Sequence, residues 1–236
     1  PTGGRFFLIN LQDRVSVEEG ARSRALEQLQ HSAEYADKLT VITLPKHSPW
    51  YTQEGEYVAA DSAAPFFASM VAELDEGEEG SWYIPKSLLP FVKERGKELA
   101  AQIHTAFFKK KKKLSLEERL VAIELWQTLL TLACVMKLVP DHISFTSKDG
   151  VDTGAAATAG WYALLRHLSG KAAWDATSEE ELLSLALLPA LTIRERAIEP
   201  NTLARMASMH TLLEGSKGKE IDALFSDRDV LLRSLL

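Results

Sequence analysis

Apolar and polar positions fall along this chain in blocks whose spacing separates strands from helices. Arg5 to Leu11, Arg-Phe-Phe-Leu-Ile-Asn-Leu, is a continuous apolar run of strand length, the pattern of a buried strand. Val17 to Ala36 then switches to helical spacing, with Ala21, Ala25, Leu29 and Ala33 at four-residue steps and Leu26 between them. Lys38 to Leu44 predicts a second strand, ended by Pro45. Pro45 to Trp82 is the least regular part, with a short helix expected over Ala63 to Leu74. Two prolines bracket an apolar patch from Trp82 to Pro90, and Phe91 to Phe108 reads as a helix.

The best-defined helix is Leu116 to Leu138. Ser115 and Glu118 form a Ser-x-x-Glu capping box, which satisfies two otherwise orphan N–H groups. Leu116, Leu120, Ile123, Trp126, Leu130, Ala133 and Lys137 trace a nearly all-apolar stripe, widened by Leu125, Leu129 and Leu132. Such a helix is expected to be buried against others. Pro140 ends it, and Ile143 to Thr146 predicts a third strand. A polar loop from Ser147 to Gly154 leads into an alanine-rich helix from about Ala155, with Trp161, Leu164, Leu165 and Leu168 inward.

Thr177 and Ser178 start another helix, with Glu179, Glu180 and Glu181 in its first turn and an end near Pro189. Ala190 to Arg196 reads as strand or extended loop, and Asn201 to Glu214 as helix. Gly215 to Lys219 is a linker-like turn before an amphipathic helix, Ile221 to Leu236. The expected class is α/β with helices dominant, a small central sheet carrying helices on both faces. The chain reads as one domain over 1–236, with an insertion or cap around 45–115.

Composition narrows the function. Hydrophobic content of 46% and charged content of 25% over 236 residues are those of an ordinary globular protein with a sizeable core. A net charge of −6 argues against general nucleic-acid or membrane binding. The one cysteine, Cys134, excludes an internal disulfide framework and reads as a small core residue. No apolar run is expected to approach the roughly 18 residues of a membrane span. The opening at Pro1, without methionine or a signal-peptide pattern, reads as a fragment or processed form, which leaves room for targeting signals outside it.

Several stretches could carry chemistry. Lys46-His47-Ser48-Pro49-Trp50-Tyr51 reads either as a binding loop or, the favoured alternative, as a loop anchored into the core by its aromatics. Asn10 and Asp13 are placed at a strand end, where turn formation is the simpler role. Asp75 to Gly80 is an exposed acidic turn by composition. Lys109, Lys110, Lys111, Lys112 and Lys113 form a run that suits either an anionic membrane surface or a solvated connection between helices. Arg194 and Arg196 are placed either to approach an anion site or, more simply, in surface salt bridges.

The most informative stretch is Ser147-Lys148-Asp149-Gly150-Val151-Asp152-Thr153-Gly154. A strand that delivers a tight loop onto a helix N-terminus turns several N–H groups toward one point at the positive end of the helix dipole, an arrangement suited to phosphate. Read as a pattern alone, Ser-Lys-Asp-Gly is also an ordinary polar turn. This stretch resembles the Cys-x-x-x-x-x-Arg signature loop of cysteine-based phosphatases. It is most similar to the Cys-Lys-Asp-Gly-Val-Asp-Arg version in effector phosphoinositide phosphatases of intracellular bacterial pathogens, the SidF kind, with SopB a more distant relative. The likeness covers about 15 residues and includes the preceding strand and the following glycine.

The resemblance implies a strand–loop–helix phosphatase core. It puts Ser147 at the nucleophile position, Thr153 at the arginine position and Asp152 among the catalytic residues. Lys148, Asp149, Gly150, Val151 and Gly154 become phosphate-binding positions. It calls for no metal and no cofactor. The implied partners are a phosphoinositide or inositol phosphate, an anionic membrane surface through the lysine run, and a host protein. The implied location is the host cytoplasm or the periphery of host membranes, after secretion by the bacterium.

Two departures decide what chemistry carries over. A thiol in such a loop ionises near neutral pH, whereas the Ser147 hydroxyl stays protonated and needs a base. The arginine offers paired hydrogen bonds to phosphoryl oxygens; Thr153 offers one neutral hydroxyl. Losing one preorganised donor alone costs roughly 10²–10³ in rate. The expectation is therefore a phosphoinositide phosphatase domain that is catalytically dead as written, or else a natural pseudophosphatase acting as a phosphoinositide- or protein-binding module. Whether evolution or engineering produced Ser147 and Thr153 stays open at this point.

Overall fold

The computed structural model describes residues 4–59, 61–75, 80–169 and 174–216. Its element order is β1 (Phe6–Asn10), α1 (Gly20–Leu29), β2 (Leu39–Thr43), α2 (Pro49–Thr52), α3 (Ala63–Ala72), α4 (Leu89–Ala106), α5 (Leu116–Leu138), β3 (His142–Thr146), α6 (Thr153–Leu168), α7 (Ala176–Arg194) and α8 (Pro200–Gly215). Helices dominate around a small sheet of three parallel strands in the order β2-β1-β3.

Side-chain alternation along β1 explains how the sheet is covered. Ile9 and Leu11 share a small gap with Thr128 and Thr131 of α5 and Ala157 of α6. Asn10 projects to the other face, where its amide donates to Ser23 Oγ of α1 at 2.6 Å and to Thr43 Oγ1 at 3.1 Å. Glu27 of α1 accepts from the Thr43 hydroxyl at 2.7 Å and pairs with buried Arg14 at 3.1 Å. One face of the sheet is thus sealed by apolar packing, the other by a satisfied polar network beneath α1.

The main core is organised by α5. Its capping box is formed: Ser115 Oγ accepts from Glu118 N–H at 3.1 Å, and Glu118 Oε2 accepts from Ser115 N–H at 2.9 Å. Trp126 is fully buried, with its indole N–H donating to Gly96 O of α4 at 2.9 Å. Its ring lies 6.4 Å from that of Trp50 and 5.5 Å from that of Trp82. By length and composition α5 does reach the size of a membrane span, contrary to the sequence expectation, but 78% of its most apolar window is buried inside the fold. Leu116, placed on the inward stripe, is 47% exposed: it is the first residue of the helix, at its capped end, and lines an open cleft. Cys134 is fully buried, and burial pushes its thiol up to about 12.

Four other expectations change. The first helix is confined to Gly20–Leu29, with turns on either side. Residues 49–52 form a turn of helix, with Ser48 Oγ accepting from Tyr51 N–H at 3.2 Å. The alanine-rich helix starts at Thr153, so Thr153 and Gly154 belong to its first turn rather than to the loop. Most substantially, α7 does not stop near Pro189 but runs through it to Arg194, so Ala190 to Arg194 is helix and not strand. Ala186 and Ala190, one turn apart around the proline, are both fully buried in a second apolar cluster. That packing outweighs the local cost of an interior proline. The acidic residues 76–79 and the closing segment 221–236 lie outside the described residues.

Replacing Ser115 by alanine removes one half of the capping box. A loss of about 1 kcal/mol in urea-induced unfolding is expected, with helix content at 222 nm in the native state unchanged.

Candidate functional site

In a parallel sheet all strands point one way, so the loops after β1, β2 and β3 leave the same end. The strand order also reverses at β1: the next strand in the chain pairs on one side and β3 on the other. The crevice beyond the carboxyl ends of such strands is the usual ligand position in open α/β sheets. A cleft of about 900 Å³ opens there. It is lined by Glu19 from the loop after β1, by Lys46, His47 and Tyr51 after β2, and by Ser147, Lys148 and Thr153 after β3, with Arg205 of α8 joining them.

The loop after β3 is held by its own side chains. Ser147 Oγ accepts from Gly150 N–H at 3.1 Å, and Asp149 Oδ1 accepts from Val151 N–H at 3.3 Å. Gly150 has φ +72°, which a side chain would strain. A Cβ on Gly154 would stand 3.2 Å from Ser147 Oγ, so glycine lets the start of α6 close onto Ser147. Val151 is fully buried in the second apolar cluster, beside Ala156 and Ala159 of α6. Asp152, the residue before α6, makes no side-chain cap. Among the described residues, the amides of Thr153, Gly154 and Ala155 donate to no protein acceptor, as expected of a first helical turn.

The two loop carboxylates are engaged elsewhere. Asp149 pairs with Arg194 at 2.8 Å and Asp152 with Arg196 at 2.6 Å, and Asp152 also accepts from Glu199 N–H at 2.9 Å. The Arg196 hydrogen bond holds the Asp152 carboxyl below the usual range. For Asp149, burial pushes upward, but the Arg194 and Val151 hydrogen bonds bring it down. Both arginines therefore form salt bridges, and their partners are the loop's own aspartates.

Beneath the cleft lies a buried charged cluster. Glu124 of α5, 5% exposed, accepts from Lys46 Nζ and from the Tyr51 hydroxyl at 2.5 Å. Burial pushes the Glu124 carboxyl up, yet Lys46, the Tyr51 hydroxyl and the charge of Arg205 together hold it below the ordinary range. Arg205 stacks on the Tyr51 ring at 4.0 Å and donates to Tyr51 O at 2.8 Å. His47 Nε2 shares a hydrogen bond with Thr153 Oγ1 at 3.0 Å, tying the loop after β2 to the start of α6.

The segment Lys46 to Tyr51 is anchored in the core, the favoured alternative, and it also lines the cleft. Trp50 and Tyr51 anchor it in the core, while Lys46, His47 and Tyr51 face the cleft. Asn10 and Asp13 serve the sheet and the loop after β1: Asp13 Oδ1 accepts from Val15 N–H at 3.0 Å. The lysine run lies outside the cleft. Lys111 pairs with Glu118 at 2.5 Å, Lys113 with Asp61 at 2.8 Å, and Lys109 lines a neighbouring cavity. Glu124 and Arg205 were missed from the sequence. Glu124 had a signal, a lone carboxylate in the run Ala122-Ile123-Glu124-Leu125-Trp126, where a buried charge demands a partner. Arg205, on an ordinary helix, had none.

Chemically, the cleft offers hydrogen-bond donors, and among the described residues none of its bases bonds the Ser147 hydroxyl. The one histidine on the cleft wall bonds Thr153, while Ser147 Oγ is engaged by the Gly150 amide. No group of three or more His, Cys, Asp or Glu is placed to hold a metal among the described residues. The chain matches no protein-family model, and no curated protein or solved structure matches it significantly.

Glu124→Gln leaves the Lys46 charge buried without its counter-ion. A destabilisation of about 3–5 kcal/mol at pH 7 is expected from such a broken pair, read from the urea midpoint. Because the folded carboxyl titrates below its unfolded value of about 4.3, its stabilisation is present above that pH and is lost as pH falls through the folded value. The wild-type midpoint should drop more steeply below about pH 4.3 than that of Glu124→Gln; parallel pH profiles would refute the assignment.

Proposed function

We propose that the chain is a pseudophosphatase, a phosphatase-like strand–loop–helix core that binds a phosphoinositide or inositol phosphate without hydrolysing it. The observation that carries this reading is the junction of β3 and α6. There the unpaired amides of Thr153 and Gly154 start a helix on the wall of a cleft shared with Lys148 and His47. The likeness of Ser147 to Gly154 to the cysteine-phosphatase loop supports the same ligand class. Glu19, Glu54, Glu117 and Glu199 also line the cleft. Recognition therefore rests on directed donors rather than on a uniformly positive field, and affinity should be modest.

Hydrolysis is not expected. Among the described residues Ser147 has no base within hydrogen-bond reach, and a serine hydroxyl needs one. The environment of position 153 adds a second obstacle. Thr153 is 5% exposed and bonded to His47, so an arginine there would have to displace the histidine before reaching a phosphate.

Two measurements test the reading. The unmodified protein should bind a soluble inositol trisphosphate by calorimetry and cosediment with phosphatidylcholine vesicles carrying a phosphatidylinositol bisphosphate, with no phosphate release. Absence of binding in both assays, or turnover abolished by Ser147→Ala, would overturn it. The double substitution Ser147→Cys with Thr153→Arg should fold and bind yet stay inert. Robust phosphatase activity in that variant would instead favour the second reading, an enzyme disabled only at these two positions.

A further inference from the structure

The cations lining the cleft differ in what they have left to give. Lys46 is buried and spent on Glu124. Lys148 is exposed on a loop, where a flexible ammonium is a weak point of recognition. Arg194 and Arg196 stand outside the lining and belong to Asp149 and Asp152. Arg205 is different. Its guanidinium is half-buried, stacked on the Tyr51 ring, donates from Nη1 to Tyr51 O and also acts on the Tyr51 hydroxyl. A guanidinium has five N–H donors. Among the described residues no carboxylate lies in salt-bridge range of Arg205; Glu124, which it influences electrostatically, is held by Lys46 and Tyr51.

We infer that Arg205 is the anion-binding residue of this cleft, the guanidinium donors that Tyr51 leaves over grasping the phosphoryl oxygens of a phosphate monoester seated against the start of α6. The inference rests on the phosphate-binding reading above and names the residue that makes it specific. Two features favour an anion over a purely structural role. The ring stacking and the carbonyl bond restrict the side chain before any ligand arrives, so little rotamer freedom remains to be lost on binding. The planar fork also matches two oxygens of a phosphate at once, which neither Lys148 nor the Thr153 hydroxyl does.

The test is calorimetry with inorganic phosphate on the wild type, Arg205→Gln and Arg205→Lys. Wild type should bind, Arg205→Gln should bind at least roughly tenfold more weakly as expected for a lost charge-assisted pair, and Arg205→Lys should recover part of the loss. Equal affinity of wild type and Arg205→Gln would overturn the role of Arg205 while leaving the cleft's reading intact. No phosphate binding by wild type would overturn the reading and this inference together. Should Arg205→Gln fail to fold by circular dichroism, the Arg205 Nε–Hε resonance of the wild type, assigned through Arg205→Lys, is followed during a phosphate titration. A saturable shift of that signal supports the inference, and a static signal while backbone amides respond refutes it.

Discussion

A carboxylate in the middle of an apolar helix dictates much of this molecule. Glu124 is nearly inaccessible to water, and an unpaired charge there would cost several kcal/mol. The fold meets that cost by drawing Lys46 and the Tyr51 hydroxyl onto it from the segment that follows β2. Once Tyr51 is held, its ring and carbonyl hold Arg205 of α8, and the same segment carries His47 to Thr153. One satisfied charge thus binds α5, α8, the start of α6 and the end of β2 into a common frame. The cleft is the space that this frame encloses.

The sheet supplies the other constraint. Because the three strands are parallel, everything that follows them gathers at one end, and β3 delivers its loop at the sheet's edge. That loop is stiffened from three sides: Ser147 and Asp149 accept from its own amides, Val151 is sunk into apolar packing, and Arg194 at the end of α7 and Arg196 just after it grip its aspartates. Rigidity of this kind favours a preformed binding site over a flexible one. The same bonds leave Ser147 and Asp152 occupied, as the proposed pseudophosphatase reading requires.

Local pattern revealed the frame and long-range pairing stayed hidden. β1, β2 and β3 were legible because buried strands read as short apolar runs between breakers, and α5 was legible through Ser115, Glu118 and its leucines. The passage of α7 through Pro189 was not, since the compensating burial of Ala186 and Ala190 depends on partners distant in the chain. The loop Ser147 to Gly154 could be singled out by its residues, but the division of its amides between internal bonds and the open first turn of α6 could not. Arg205 illustrates the limit: nothing in its neighbours along the helix tells that Tyr51 waits across the fold.

The most direct measurement is a phosphate titration followed by backbone amide ¹H–¹⁵N shifts. The account predicts saturable shifts at Thr153, Gly154 and Ala155, whose amides have no protein acceptor among the described residues, with smaller changes at Gly150 and Val151, whose amides are already bonded within the loop. Shifts that gather at Lys109 to Lys113 and leave the start of α6 unmoved would contradict it.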